Sequence, residues 1–233
     1  MVEIYEEIGA RLAPLGLIPR GGFRPEPADG VPALRDGRAA NTLILVGNAG
    51  PALWEVFPAS PEAGDGQANP LDRWTKRVLG PIAAALGAEL FFPFGDGSHP
   101  FTRWAGRAEA VAPSPIGLMI HPEHGLWHAY RGALAFAEAL PLPPRVAALS
   151  PCEACETKPC LTACPVGAFS GDAYDVPACG AHLTKPAGKA CLEGGCLARR
   201  ACPVARPNGP VQAGFHMAAF FRSLTKAGLA GNG

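Results

Sequence analysis

The first 151 residues contain no cysteine, although the 233-residue chain has eight. That absence places all thiol chemistry after residue 151 and marks a composition boundary near PLPPRVAALSP (141–151). No apolar run approaches the roughly 18 residues that suggest a membrane span. The N-terminal stretch MVEIYEEIGARLAPLG lacks the basic region and apolar core of a signal peptide. The expected location is therefore the cytoplasm, with no membrane partner. No Lys/Arg cluster tracks a phosphate backbone, and 20 basic residues balance 20 acidic ones, which argues against nucleic acid as a partner. Gly47 and Gly50 in GNAGP carry no phosphate-loop or dinucleotide fingerprint and read as a turn. No Ser-His-Asp set or carboxylate pair stands out.

What is present is a chain able to fold. Hydrophobic residues make up 48%, while 29 Gly and 26 Pro predict many loops. Ile4, Ile8 and Leu12 recur at helical spacing before Pro14. NTLILVG (41–47) and ELFFPF (89–94) read as strands. Residues 69–87 predict a helix with Asn69 as N-cap and Pro70 at its first position. Leu71, Trp74, Val78, Ile82 and Leu86 would form its apolar face, and Gly80-Pro81 would kink it. HPFTRWAGRAEAV (99–111) predicts a helix burying Phe101, Trp104, Ala105 and Ala108. HPEHG (121–125), flanked by IGLMI and LWHAYRGALAF, predicts a hairpin. HMAAFFRSLTKAG (216–228) predicts a last helix packed through Met217, Phe220, Phe221 and Leu224. The expected class is α+β or α/β, with domains at 1–145 and 146–233.

The cysteines begin C-x2-C-x4-C-x3-C-P, as Cys152, Cys155, Cys160 and Cys164 followed by Pro165, and continue as Cys179, Cys191, Cys196 and Cys202-Pro203. Closely spaced thiolates ending in Cys-Pro mark bacterial ferredoxin-type ligation, in which the Cys-Pro cysteine crosses to the other cluster. That crossing assigns Cys152, Cys155, Cys160 and Cys202 to one [4Fe–4S] cluster, and Cys164, Cys179, Cys191 and Cys196 to the other. Four-cysteine zinc sites and disulfides are the alternatives, but zinc sites usually show paired C-x2-C knuckles and only one C-x2-C occurs. A pure electron carrier could be much shorter, so the cysteine-free part is expected to serve a second site.

PIGLMIHPEHGLWHAYRGALAF (115–136) carries Ile120-His121-Pro122, Gly125, Trp127 and Arg131-Gly132. This stretch resembles the vitamin B12-processing proteins of the methylmalonic aciduria and homocystinuria type C family, as does TLILVGNAGPALWEVF (42–57). The resemblance implies a nitroreductase-like fold, a cavity for cobalamin and removal of its upper axial ligand by decyanation or dealkylation. An eight-cysteine module after such a domain is also similar to epoxyqueuosine reductases and reductive dehalogenases, whose clusters feed electrons to cobalamin. The chain lacks the helical-repeat region and a match to the catalytic acid of the former, and the twin-Arg signal of the latter.

The resulting expectation is an iron–sulfur oxidoreductase acting on cobalamin, served by an external donor such as a flavoprotein or ferredoxin. Strand alternation would put Trp127 and Arg131 on one face, to pack a corrin and hold its polar groups, and His128 and Tyr130 on the other. Tyr130 is a further cofactor candidate. His121 and Pro122 would shape the turn beside the cofactor. Phe101 and Trp104 pack in the core or line the cofactor. A ferredoxin-like carrier, a corrinoid-dependent reductase of another substrate and a flavin enzyme are the competing readings.

Overall fold

The computed structural model describes residues 3–95, 99–171, 173–207 and 209–228. Its strands, in chain order, are β1 (Ile18–Phe23), β2 (Thr42–Ala49), β3 (Glu89–Phe91), β4 (Ala112–Pro113), β5 (Met119–Ile120) and β6 (His128–Phe136). Every pairing is antiparallel, in a four-stranded sheet of order β1-β2-β6-β3 and a two-stranded ribbon β4-β5. With helices added, the class is α+β. No helix among the described residues is long and apolar enough to cross a membrane.

The chain forms two compact units, Met1–Val111 with His128–Ala148, and Ala112–Trp127 with Leu149–Gly233. The single boundary expected at 145/146 is thereby corrected, because residues 112–127 fold with the cysteines. Ile116, Ile120 and Leu126 are buried in one apolar cluster with Ala198 and Cys202. The predicted hairpin changes for the same reason. The turn does close, with an antiparallel bridge between His121 and Gly125. Its flanks then part, since β5 pairs with β4 and β6 pairs with β2 and β3.

In the first unit, β2 is buried along almost its whole length, as a continuous apolar run requires when both faces are covered. Leu43 and Leu45 pack into a core with Phe23, Phe91, Phe101 and Trp104. The helix Pro70–Ala85 runs across Pro81, and its buried line is Leu71, Trp74, Thr75, Leu79 and Ala83. The predicted stripe is therefore rotated by about one residue. Asn69 precedes it with φ 51° and makes no side-chain cap bond.

Two β-bulges interrupt the sheet. In β1 the register shifts between Pro19 and Gly22. Gly21 sits there at φ +70°, where a Cβ would stand 2.3 Å from the Ala108 carbonyl oxygen. In β6, Gly132 faces Val46 and Tyr130 faces Gly47, leaving Arg131 as the extra residue. Bulges re-aim side chains, and each of these carries a buried arginine, Arg20 and Arg131.

The second unit is built from short helices, among them Pro151–Ala154, Pro159–Thr162, Val176–Leu183, Lys189–Gly194 and Leu197–Arg200, with a longer final helix Pro210–Lys226. Ser150 and Asp175 cap two of them, accepting from the Cys152 and Ala178 N–H groups.

Candidate metal centre

Four of the eight thiols share a cavity, and the other four lie within electrostatic reach of one another. Cys152, Cys155, Cys160 and Cys202 line one cavity with Ser114, Ile120, Leu126 and Val204. Burial pushes the Cys152 and Cys160 thiols up, and the neighbouring Cys202 adds to the rise in both. The Cys-Pro residue of the second run thus stands among the first three cysteines.

Cys164, Cys179, Cys191 and Cys196 form the other quartet. Burial raises the Cys179 thiol, and Cys164 and Cys191 raise it further. Burial also raises Cys196, with Cys191 and Cys179 contributing. In the first quartet, short spacers bring Cys152, Cys155 and Cys160 together, and Cys202 arrives from the second run.

A backbone donor points at sulfur in the second quartet. The Ala168 N–H donates to Cys164 Sγ at 3.4 Å. The Ala198 and Arg199 N–H groups beside Cys196, and the Leu161 N–H beside Cys160, hold those thiols down against the effect of burial. The Tyr174 hydroxyl lies beside Cys179 and holds that thiol down against the effect of burial. Burial and nearby thiols hold that phenol far above its ordinary value. Its ring stacks on Phe169 at 4.6 Å, across a bridge that closes the Phe169–Tyr174 loop.

Arg199 is the cation beside the second quartet. Its guanidinium donates to the Leu126 carbonyl at 3.0 Å through Nε and lies 4.1 Å from the centre of the Trp127 ring. Burial lowers it to about 10, partly offset by Cys196. Sequence reasoning missed Arg199, Tyr174 and Ser114. The first two lie close to cysteines in sequence, which was an available signal; Ser114 carries none.

The expected corrinoid residues divide between the units and are largely committed elsewhere. Trp104 is fully buried, donates Nε1–H to the Asp29 carbonyl at 2.9 Å and packs 4.8 Å from Phe101. Both are core residues, the first of the two roles expected for them. Trp127 is 1% exposed and lies under Arg199, so its ring has no open face for a corrin.

Arg131 is corrected as well. The bulge turns it onto the helix Pro70–Ala85, where it donates to Asp72 Oδ1 at 2.6 Å and Thr75 Oγ1 at 3.1 Å. Burial lowers its pKa, and Asp72 partly restores it. Its Nε and Nη2 hydrogen bonds all go to that helix.

The half-buried Tyr130 donates its hydroxyl to Glu109 beneath Arg20, whose Cζ lies 5.0 Å from the ring centre. Arg20 binds the Glu109 carboxylate at 2.5 Å and 3.1 Å and the Asn48 carbonyl at 3.1 Å. In the turn, His121 Nδ1 accepts from the Glu123 and His124 N–H groups at 3.1 and 3.3 Å. That ring and Pro122 shape the loop.

No protein-family model matches the chain, and no curated protein matches it. The donor set must therefore be judged on its own chemistry. Among the described residues, no three Cys, His, Asp or Glu side chains stand as a ready site for one metal ion. Soft thiolates with apolar walls and N–H donors at sulfur fit iron–sulfur clusters. The Ser114 hydroxyl is buried in the first cavity's lining with no hydrogen-bond partner, which a cluster sulfur would supply.

Proposed function

We propose that the unit of residues 112–127 and 149–233 holds two [4Fe–4S] clusters, and that the chain is a one-electron oxidoreductase. The division of eight thiols into two quartets carries this reading. Clusters bound there would supply single-electron chemistry at low potential. Cys152, Cys155, Cys160 and Cys202 hold one, and Cys164, Cys179, Cys191 and Cys196 the other. The N–H groups of Ala168, Ala198 and Arg199 offset negative charge at sulfur, while Ile120, Leu126 and Val204 keep water from the first quartet. Such thiol use suits a reducing compartment, the cytoplasm.

The acceptor proposed is cobalamin, with reduction at cobalt leading to loss of the upper ligand. The likeness of residues 42–57 and 115–136 to B12-processing proteins supports this part. An outside flavoprotein or ferredoxin would restore the electrons. The second reading is a ferredoxin-like carrier, favoured by the commitment of Phe101, Trp104, Trp127 and Arg131 to packing and ion pairing.

The test is anaerobic reconstitution with iron and sulfide, reduction, and addition of cyanocobalamin while the visible spectrum and free cyanide are followed. Oxidation of the reduced protein as the cobalt bands shift and cyanide appears is the expected result. Clusters that form but neither bind nor reduce cobalamin leave the carrier reading. A chain that takes up no iron defeats both.

A further inference from the structure

The Ser114 hydroxyl stands out among the buried polar groups of the cysteine unit. Ser114 is 8% exposed, and its Oγ is buried with no hydrogen-bond partner. It lines the same cavity as Cys152, Cys155, Cys160 and Cys202. Its backbone is fully used, because its N–H donates to the Leu118 carbonyl at 2.8 Å and its carbonyl accepts from the Gly117 N–H at 2.9 Å. Those two bonds close the turn between β4 and β5, with buried Ile116 anchoring it. The side chain is thus held at the cavity wall by a turn that leaves the hydroxyl idle. A buried hydroxyl without a partner is destabilising, and the rest of the cavity lining is apolar side chains, thiols and the Lys158 side chain.

We infer that Ser114 is a further cofactor-contacting residue, whose hydroxyl donates a hydrogen bond to a sulfur of the cluster held by Cys152, Cys155, Cys160 and Cys202. This deepens the two-cluster reading and rests on it. A donor at sulfur stabilises the more negative, reduced form, so Ser114 raises the reduction potential of the first cluster relative to an unassisted one. In the second quartet the observed donor at sulfur is instead a backbone group, the Ala168 N–H at 3.4 Å from Cys164 Sγ. The donor for the first comes from residues 112–127, which the burial of Ile116, Ile120 and Leu126 holds among the cysteines.

The experiment is an EPR-monitored redox titration of the reconstituted full chain beside Ser114→Ala and Ser114→Thr, with iron and sulfide counted in each. A net hydrogen bond of about 1 kcal/mol corresponds to about a fivefold change in the reduced-to-oxidised ratio at fixed potential. Ser114→Ala is expected to lower that ratio about fivefold for one cluster signal only, and to remove an exchangeable proton coupled to it in ENDOR. Ser114→Thr, which keeps the hydroxyl, is expected to retain both. Unchanged potentials in the alanine variant overturn the assignment while the clusters stand, and so do equal shifts in both variants. If the alanine variant loses iron, a threonine variant with full iron and the original potential supports the assignment, and one that also loses iron overturns it. A wild-type chain without iron overturns the cluster reading and the Ser114 role together.

Discussion

Arg131 shows how a single residue escapes a sequence pattern. Alternation along β6 predicts that it shares a face with Trp127, but the bulge at Tyr130–Arg131 breaks the period of two. Its charge is then drawn to Asp72, on a helix more than fifty positions earlier. Tyr130 beside it has a consequence in alkali. Burial, then the Glu109 charge, holds its phenol above the usual value of about 10 against the lowering effect of Arg20. As pH rises through about 10, the phenol in the unfolded chain loses its proton while the folded one keeps it, so the unfolded state binds fewer protons and stability falls. Urea midpoints measured from pH 8 to 11 are expected to decline above pH 10. Tyr130→Phe is expected to flatten that decline; an identical slope in the variant would remove Tyr130 as its source.

At the scale of elements, helices were the legible part. Phe101, Trp104, Ala105 and Ala108 bury as their spacing predicts, since a short helix with one apolar stripe has one way to cover it. The stripe of Pro70–Ala85 is turned so that Thr75 is buried where its hydroxyl accepts from Arg131, a remote partner that spacing does not weigh. β1 was not anticipated, as IPRGGF has too few apolar residues to read as a strand. The final helix depends on a close approach. A Cβ on Gly214 would lie 2.8 Å from the Glu193 carbonyl oxygen, in the helix that carries Cys191. Gly214→Val is expected to cost about 1–3 kcal/mol by overpacking and to halve retained iron, with the first quartet kept. Denaturation midpoints and iron counts after desalting check both.

For the whole molecule, the thiol quartets join parts of the chain that are remote in sequence. Cys152→Ser and Cys202→Ser are expected to abolish the same EPR signal, and the double variant to lose no more than either single one. Cys164→Ser is expected to abolish the other signal. Losses that instead follow sequence order, with Cys152 and Cys164 acting together, would overturn the partition. Groups that act as a unit are non-additive, so the pattern of losses reports which thiols share a cluster.

The sequence by itself determined what is local: the amphipathic helices, the buried run of β2 and the close spacing of the cysteines, because each depends on residues within a few turns of one another. Tertiary structure alone decided that residues 112–127 fold with the cysteines, that Trp104 and Trp127 are spent on packing, that Arg131 is paired with Asp72, and that Ser114 faces the first quartet. Those outcomes depend on bulges and on which remote apolar surface covers a segment, and neither has a signature in the order of the residues.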